Sequence, residues 1–227
     1  VVVAEILQQP GPRQRPIGRI IEILGKSGAP GMATEIAIRN FDLPHEWPDG
    51  VEQEAEAYGD SVTEAMHQGR RDLRDLPLVT IDGADARDFD DAVYAQRHKN
   101  GWRLVVAIAD VSSYVKPGRP LDDEARKRAT SVYFPGRVIP MLPEALSNGL
   151  CSLKPDVDRL CMVCDMSINE AGVVTRARFD SAVMKSQARL TYQEVWDWLV
   201  SGEQDIRPGK GAVSKSLKDL YSLYKAF

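Results

Sequence analysis

Five aspartates, Asp82, Asp85, Asp88, Asp90 and Asp91, crowd into ten residues that hold a single arginine, Arg87. Carboxylates this close in sequence repel one another unless solvent, basic partners or a cation disperses the charge, and one guanidinium cannot answer five acids. All the donors are hard oxygens, which suit magnesium: that ion takes a few carboxylates, keeps several waters and completes its shell with substrate phosphates. The flanks are apolar, residues 78–81 (LVTI) before and 92–94 (AVY) after, so the stretch parses as strand, acidic loop, strand. In extended chain Asp88 and Asp90 share a face while Asp91 points the other way unless the loop bends, so the acids cannot all do one job.

A plain solvated turn is the competing reading, since Asp82-Gly83 is a turn signal and acidic loops are commonly surface. Against it stand the two flanking strands and Phe89, set among the acids. An EF-hand is excluded: with Asp88 and Asp90 opening its loop, Ala92 would fill the next ligand position and Val93 the place of the obligatory glycine. An aspartyl-phosphate nucleophile of DxD type competes more closely, but it wants an apolar strand immediately before it, where Ala84, Asp85, Ala86 and Arg87 stand.

Residues 80–94 (TIDGADARDFDDAVY), together with 106–115 (VAIADVSSYV), 130–135 (TSVYFP) and 139–153 (IPMLPEALSNGLCSL), resemble the catalytic domain of the ribonuclease II / ribonuclease R family, closer to its ribonuclease R branch. The resemblance covers most of the chain. It implies that the family's four active-site aspartates fall on Asp82, Asp88, Asp90 and Asp91, with Asp85 outside the set. Asp82, Asp88 and Asp91 would hold Mg²⁺, with Mn²⁺ as a substitute, and Asp90 would position or deprotonate the attacking water. Tyr133 matches a family tyrosine that stacks on RNA bases, with Phe134 as its buried neighbour, although composition alone makes an aromatic there a core residue. The implied reaction is processive 3′-to-5′ hydrolysis of single-stranded RNA, including 3′ tails of structured RNA, to nucleoside 5′-monophosphates, with no organic cofactor. The implied fold is α+β: the end of an OB-type cold-shock β-barrel over residues 1–43, a connector over 44–76, and the first part of an RNB catalytic domain with a central mixed sheet over 77–227. Such a catalytic domain is ordinarily longer than the stretch from Pro77 to Phe227, so an RNA-binding fragment without turnover is the alternative.

The 227 residues carry a net charge of −4, unevenly: residues 1–41 have +2, 42–94 have −11 and 95–227 have +5. Two mildly basic flanks around an acidic centre fit a phosphate backbone approaching a cation-loaded loop, and ordinary solvated faces fit as well. No run of eighteen apolar residues and no basic-then-apolar leader is present, so the expectation is a cytoplasmic protein without a membrane partner. Cys151, Cys161 and Cys164 are odd in number, which argues for reduced thiols; Cys161 and Cys164 form a CxxC with no second pair, better read as part of a strand whose apolar face is Leu160, Met162, Cys164, Met166 and Ile168.

Among the positioning elements, strands are expected over 1–7, 17–24, 32–39, 102–111 (buried on both faces) and 173–184, the last carrying Arg176, Arg178 and Lys185. The absence of an initiator Met and a last helix running to Phe227 read as a fragment. If residues 1–43 are the cold-shock piece that the resemblance implies, Arg13, Arg15, Arg19 and Lys26 are candidate phosphate contacts, and exposed solubilising charge fits them equally well. Gly25-Lys26-Ser27 is no phosphate loop, because Ile20 stands where the preceding glycine is needed and Gly28, Pro30 and Gly31 forbid the following helix. Helices are expected over 51–58, over 61–67 with a Ser61/Glu64 capping box, over 120–129 with charges matched to its dipole, over 192–200 ending at Gly202 behind a Thr191/Glu194 capping box, and on the Leu217, Leu220, Tyr221, Tyr224 stripe. Residues 70–75 (RRDLRD) read as a salt-bridged surface approach, and Asp110 as a structural acid in need of Ser112 and Ser113.

Overall fold

Over residues 71–109 and 158–191 apolar residues recur with the two-residue period of a pleated strand, and these segments build one sheet. The computed structural model describes residues 1–201 and 211–227 and divides into two units, one formed by 1–48 with 124–141 and the other by 49–123 with 142–227. In chain order the elements are β1 (Val2–Gln8), β2 (Ile17–Ile23), α1 (Met32–Asn40), α2 (Asp49–Glu56), β3 (Arg71–Asp72), β4 (Val79–Asp82), β5 (Asp91–His98), β6 (Gly101–Ala109) and α3 (Pro120–Arg128). They continue with β7 (Val132–Phe134), β8 (Arg137–Ile139), β9 (Asp158–Asn169), β10 (Val174–Lys185), β11 (Ala188–Thr191), α4 (Tyr192–Trp196) and α5 (Ala212–Tyr224).

In the first unit β1 and β2 pair antiparallel, and Ile6, Leu7, Ile17, Ile20, Ile21 and Ile23 are each more than half exposed. The third strand expected over 32–39 is instead the helix α1. Its β-branched residues Thr34, Ile36 and Ile38 suggested a strand, but Glu35 and Arg39 pair at i, i+4, an acid lies in the first turn and a base in the last, and Met32 and Ile38 are buried. Between β2 and α1 the Gly25-Lys26-Ser27 segment is a turn, with Gly25 at φ 128°. The β7–β8 hairpin closes on Pro135-Gly136, where Gly136 has φ 75°.

The second unit holds a seven-stranded mixed sheet in the order β11-β4-β5-β6-β9-β10-β3, parallel only at its two outer pairs, β11 with β4 and β10 with β3. Across one face lies α5, its Val213 and Leu217 packed with Val79 and Leu190, and its Leu223 with Trp102 and Ile168. The stripe expected on this helix shifts accordingly: Leu217 and Leu220 face the sheet, while Tyr221 and Tyr224 stack on each other at 6.2 Å and Tyr224 is exposed. The Thr191/Glu194 capping box forms in full, and Val195 packs on the Leu190 cluster as the staple requires. The expected helix end at Gly202 lies outside the described residues.

Three expectations in this unit are corrected. Residues 61–67 form only a short 3₁₀ turn, Glu64–His67, behind Thr63 with no side-chain cap, because a four-residue segment cannot offset helix nucleation. Strand β6 is not buried on both faces: α5 covers its Trp102 end, but Ile108 is 47% exposed, as are its cross-strand neighbour Met162 and, further along the same face, Phe179. The apolar face read for β9 is likewise half open at Met162, while Cys161 and Val163 on the opposite face are fully buried against Ala107, Ala109 and Ala182. Cys161 and Cys164, three apart in one strand, thus lie on opposite faces of the sheet.

The RRDLRD stretch is salt-bridged as expected. Arg71 reaches Asp165 at 2.7 Å and Asp180 at 3.1 Å, Arg74 reaches Asp72 and Asp158, and Arg70 turns inward to Asp110 at 2.7 Å. Asp110 is buried, and Ser112 and Ser113 each donate a 2.7 Å bond to it. Burial alone would raise its pKa, but the two hydroxyls and Arg70 outweigh it and hold the carboxyl below its usual range. A carboxyl with a depressed folded-state pKa stabilises above its unfolded pKa and loses that contribution as pH falls. Asp110→Ala leaves Arg70 without its carboxylate, and we expect urea denaturation at pH 7 to show a loss of about 3–5 kcal/mol, with the gap to the parent protein narrowing as pH drops through the carboxylate range.

Candidate active site

Strand β4 ends at Asp82 and β5 begins at Asp91, so the antiparallel β4–β5 connection is the acidic loop itself. Backbone bonds hold the loop at both ends. Asp82 accepts from the Gly83 N–H at 3.1 Å through its own side chain, and the Ala86 N–H donates to the Gly83 carbonyl to close a turn. At the other end the Ala109 N–H donates to the Asp90 carbonyl at 2.8 Å, tying the loop to the last residue of β6. Phe89 is buried between them, its carbonyl accepting from the Leu153 N–H at 2.8 Å and its own N–H donating to Ser152 Oγ at 3.1 Å. The same hydroxyl donates to the Arg87 carbonyl at 3.2 Å, so one fully buried serine brackets Asp88. The segment 142–153 meets the loop through these bonds of Ser152 and Leu153. Within that segment lies a wide-pitch helical turn, Ala145–Leu150, in which Gly149 departs from helical dihedrals.

The carboxylates act on one another. Partial desolvation, then the charges of Asp88, Asp91 and Asp82, hold the Asp90 carboxyl above its usual range. Asp91 is raised by desolvation and by Asp82, against a lowering hydrogen bond from its own backbone. The four acids singled out, Asp82, Asp88, Asp90 and Asp91, are therefore one electrostatic group, and Asp85 is not among the charges acting on Asp90 or Asp91. Both Asp90 and Asp91 remain reachable by solvent. Among the described residues no three His, Cys, Asp or Glu side chains converge closely enough to hold a metal ion unaided. Tyr133 lies on β7 in the first unit and is 65% exposed, and its neighbour Phe134 is half-buried.

Two side chains that hold the loop carried no local signal in the sequence. Ser152 is one; Arg189 on β11 is the other, its guanidinium donating to the Gly83 carbonyl at 3.0 Å and the Ala84 carbonyl at 2.7 Å and lying 5.5 Å from the Phe89 ring centroid. Both reach the loop across more than sixty residues of sequence, and only the register of β11 on β4 brings Arg189 to Thr80 and thus to the turn. Ser152→Ala leaves the Phe89 N–H without its acceptor in a dry place, and we expect a loss of about 1–3 kcal/mol in urea denaturation. Arg189→Ala removes bonds that water replaces, so its cost should fall within about 0.5–1.5 kcal/mol.

Residues 70–227 match the family described as RNB domain, and residues 1–48 match the one described as cold shock domain. The chain is 56% identical over 226 residues to Ribonuclease R of Escherichia coli (strain K12), covering 99% of this chain and 28% of that protein. It is also 56% identical over 227 residues to Ribonuclease R of Acidithiobacillus ferrooxidans, covering 100% of this chain and 52% of that protein. The solved Mycoplasma genitalium RNase R in complex with double-stranded RNA superposes with a TM-score of 0.91 at 31% identity, covering 99% of this chain and 40% of that one. The chain thus spans about half or less of the length of these relatives.

Proposed function

The chain belongs to the RNB domain family, and from that premise we propose that it carries the acidic centre of a magnesium-dependent exoribonuclease that hydrolyses single-stranded RNA, and 3′ tails of structured RNA, from 3′ to 5′. The observation that carries the reading is the electrostatic group of Asp82, Asp88, Asp90 and Asp91 on a loop pinned at Asp90, Phe89 and Arg87. A set of hard oxygens whose charges oppose one another fits a dication, which keeps its own waters and needs few protein ligands. Asp82, Asp88 and Asp91 would hold Mg²⁺, or Mn²⁺ in its place. When bound, the ion supplies charge neutralisation at the scissile phosphate.

Asp90 orients the attacking water and takes its proton, a role that its raised pKa favours. The water oxygen bonds to phosphorus as the P–O3′ bond to the penultimate nucleotide breaks, and a nucleoside 5′-monophosphate leaves. Tyr133, with its exposed ring, offers a stacking face that accepts any base. Residues 1–43 are assigned to the cold-shock piece, 44–76 to a connector and 77–227 to the catalytic piece. No helix among the described residues is long and apolar enough to cross a membrane, and the three cysteines are free, in keeping with a cytoplasmic setting.

A second reading, an RNA-binding fragment without turnover, is favoured by the absence of a ready-made three-ligand cluster among the described residues. Incubation with 5′-labelled RNA and Mg²⁺ separates the two: a ladder converging on short labelled products means hydrolysis, and a shifted intact band means binding alone. Asp90→Asn should slow hydrolysis by about 10²–10⁴-fold, and full activity in that variant would remove Asp90 from its role. Without divalent cations the same substitution should leave the melting temperature unchanged or raise it, because it relieves repulsion. Mg²⁺ should raise the melting temperature of the parent protein and do so less for Asp88→Asn.

A further inference from the structure

At the far end of the sheet from the acidic loop, Arg71, Arg103, Arg176 and Arg178 line a cavity of about 310 Å³ together with His98, Asp165 and Ser167. The volume is at the small end of the range for ligand sites. Its walls come from one face of five strands, β3, β5, β6, β9 and β10: Arg103 lies opposite Ser167 and Ser167 opposite Arg176, while the next row toward the loop puts Asp165 opposite Arg178. His98 closes β5, seven residues from Asp91, or about 23 Å along the strand.

Elsewhere in the second unit, Arg70 is neutralised by the buried Asp110. Here arginines outnumber acids. Asp165 takes two bonds from Arg103, at 2.9 and 2.8 Å, and one from Arg71 at 2.7 Å, and Asp180 takes Arg71 and the Nε of Arg178. These bonds fix the guanidinium planes of Arg71 and Arg103 and leave the terminal amino groups of Arg178 outward, with that side chain 61% exposed. Among the described residues Arg176 has no acidic partner. Four guanidinium groups face two carboxylates, and a cavity with two positive charges in excess attracts anions.

We propose that this cavity is a second nucleic-acid contact, an anchor for the phosphodiester groups of an RNA strand that is separate from the acidic loop. Planar, bidentate guanidinium groups suit phosphate oxygens, and the two that are already oriented by Asp165 lose little freedom on binding. The inference rests on the nucleic-acid reading given above, but it is scored by binding and not by hydrolysis.

The test is anisotropy of a fluorescein-labelled single-stranded RNA in EDTA, so that no cleavage intervenes. Arg176→Ala with Arg178→Ala, both exposed, should weaken binding roughly fivefold or more at moderate salt and flatten the slope of log affinity against log salt by about 1. Arg176→Lys with Arg178→Lys should stay within about twofold of the parent protein because the charge is kept. Parent-like affinity in the alanine pair, or weaker affinity with an unchanged salt slope, overturns the anchor. A chain that binds through this cavity yet never hydrolyses RNA would instead sink the enzymatic reading and leave the anchor standing.

Discussion

Like charges held close together against their repulsion are the constraint on which the rest of this structure depends. A loop free to relax would spread Asp82, Asp88, Asp90 and Asp91 into solvent. This one cannot, because its backbone is bonded at Arg87, Phe89 and Asp90 to Ser152, Leu153 and Ala109, and at Gly83 and Ala84 to Arg189. Every one of those partners belongs to the sheet or to the segment entering it. The sheet to which those partners belong is held by burial, chiefly of Val79, Leu190 and Leu217 on one face and Cys161, Val163 and Ala182 on the other.

The sheet places its two charged regions differently. At the loop end, the acidic stretch is held through its backbone, by Ser152, Leu153 and Ala109 and by the guanidinium of Arg189. At the opposite end, arginine and aspartate interleave in cross-strand rows, and the balance tips positive. Restraint through the backbone fixes the path of the acidic loop, whereas ionic restraint pre-orients the arginines. Asp110 shows the third possibility, a carboxylate satisfied in full by two hydroxyls and a guanidinium and thereby removed from chemistry.

Much of this was readable from residue order, for physical reasons that differ by element. The strands flanking the acids, the Thr191 capping box and the partners of Asp110 are local patterns, encoded within a few residues of where they act. The strand expected over 32–39 failed because β-branched content is a weak prior, which one i, i+4 ion pair and two buried residues in α1 override. The faces of β6 and β9 were misread because alternation shows which residues share a face and not how far a covering helix reaches; α5 stops short of Ile108 and Met162. Ser152 and Arg189 were invisible since their roles exist only once distant strands pair.

The cysteines carry one more consequence. Burial, and for Cys151 the nearby Asp90 charge, pushes the thiols of Cys151 and Cys161 up to about 12, so at neutral pH they are protonated and poor nucleophiles. Cys151 immediately precedes the serine that brackets Asp88. A thiol-directed reagent reaches a side chain this buried only through an opening of the structure around it, so the reactivity of Cys151 reports on breathing beside the acidic loop, with no label added.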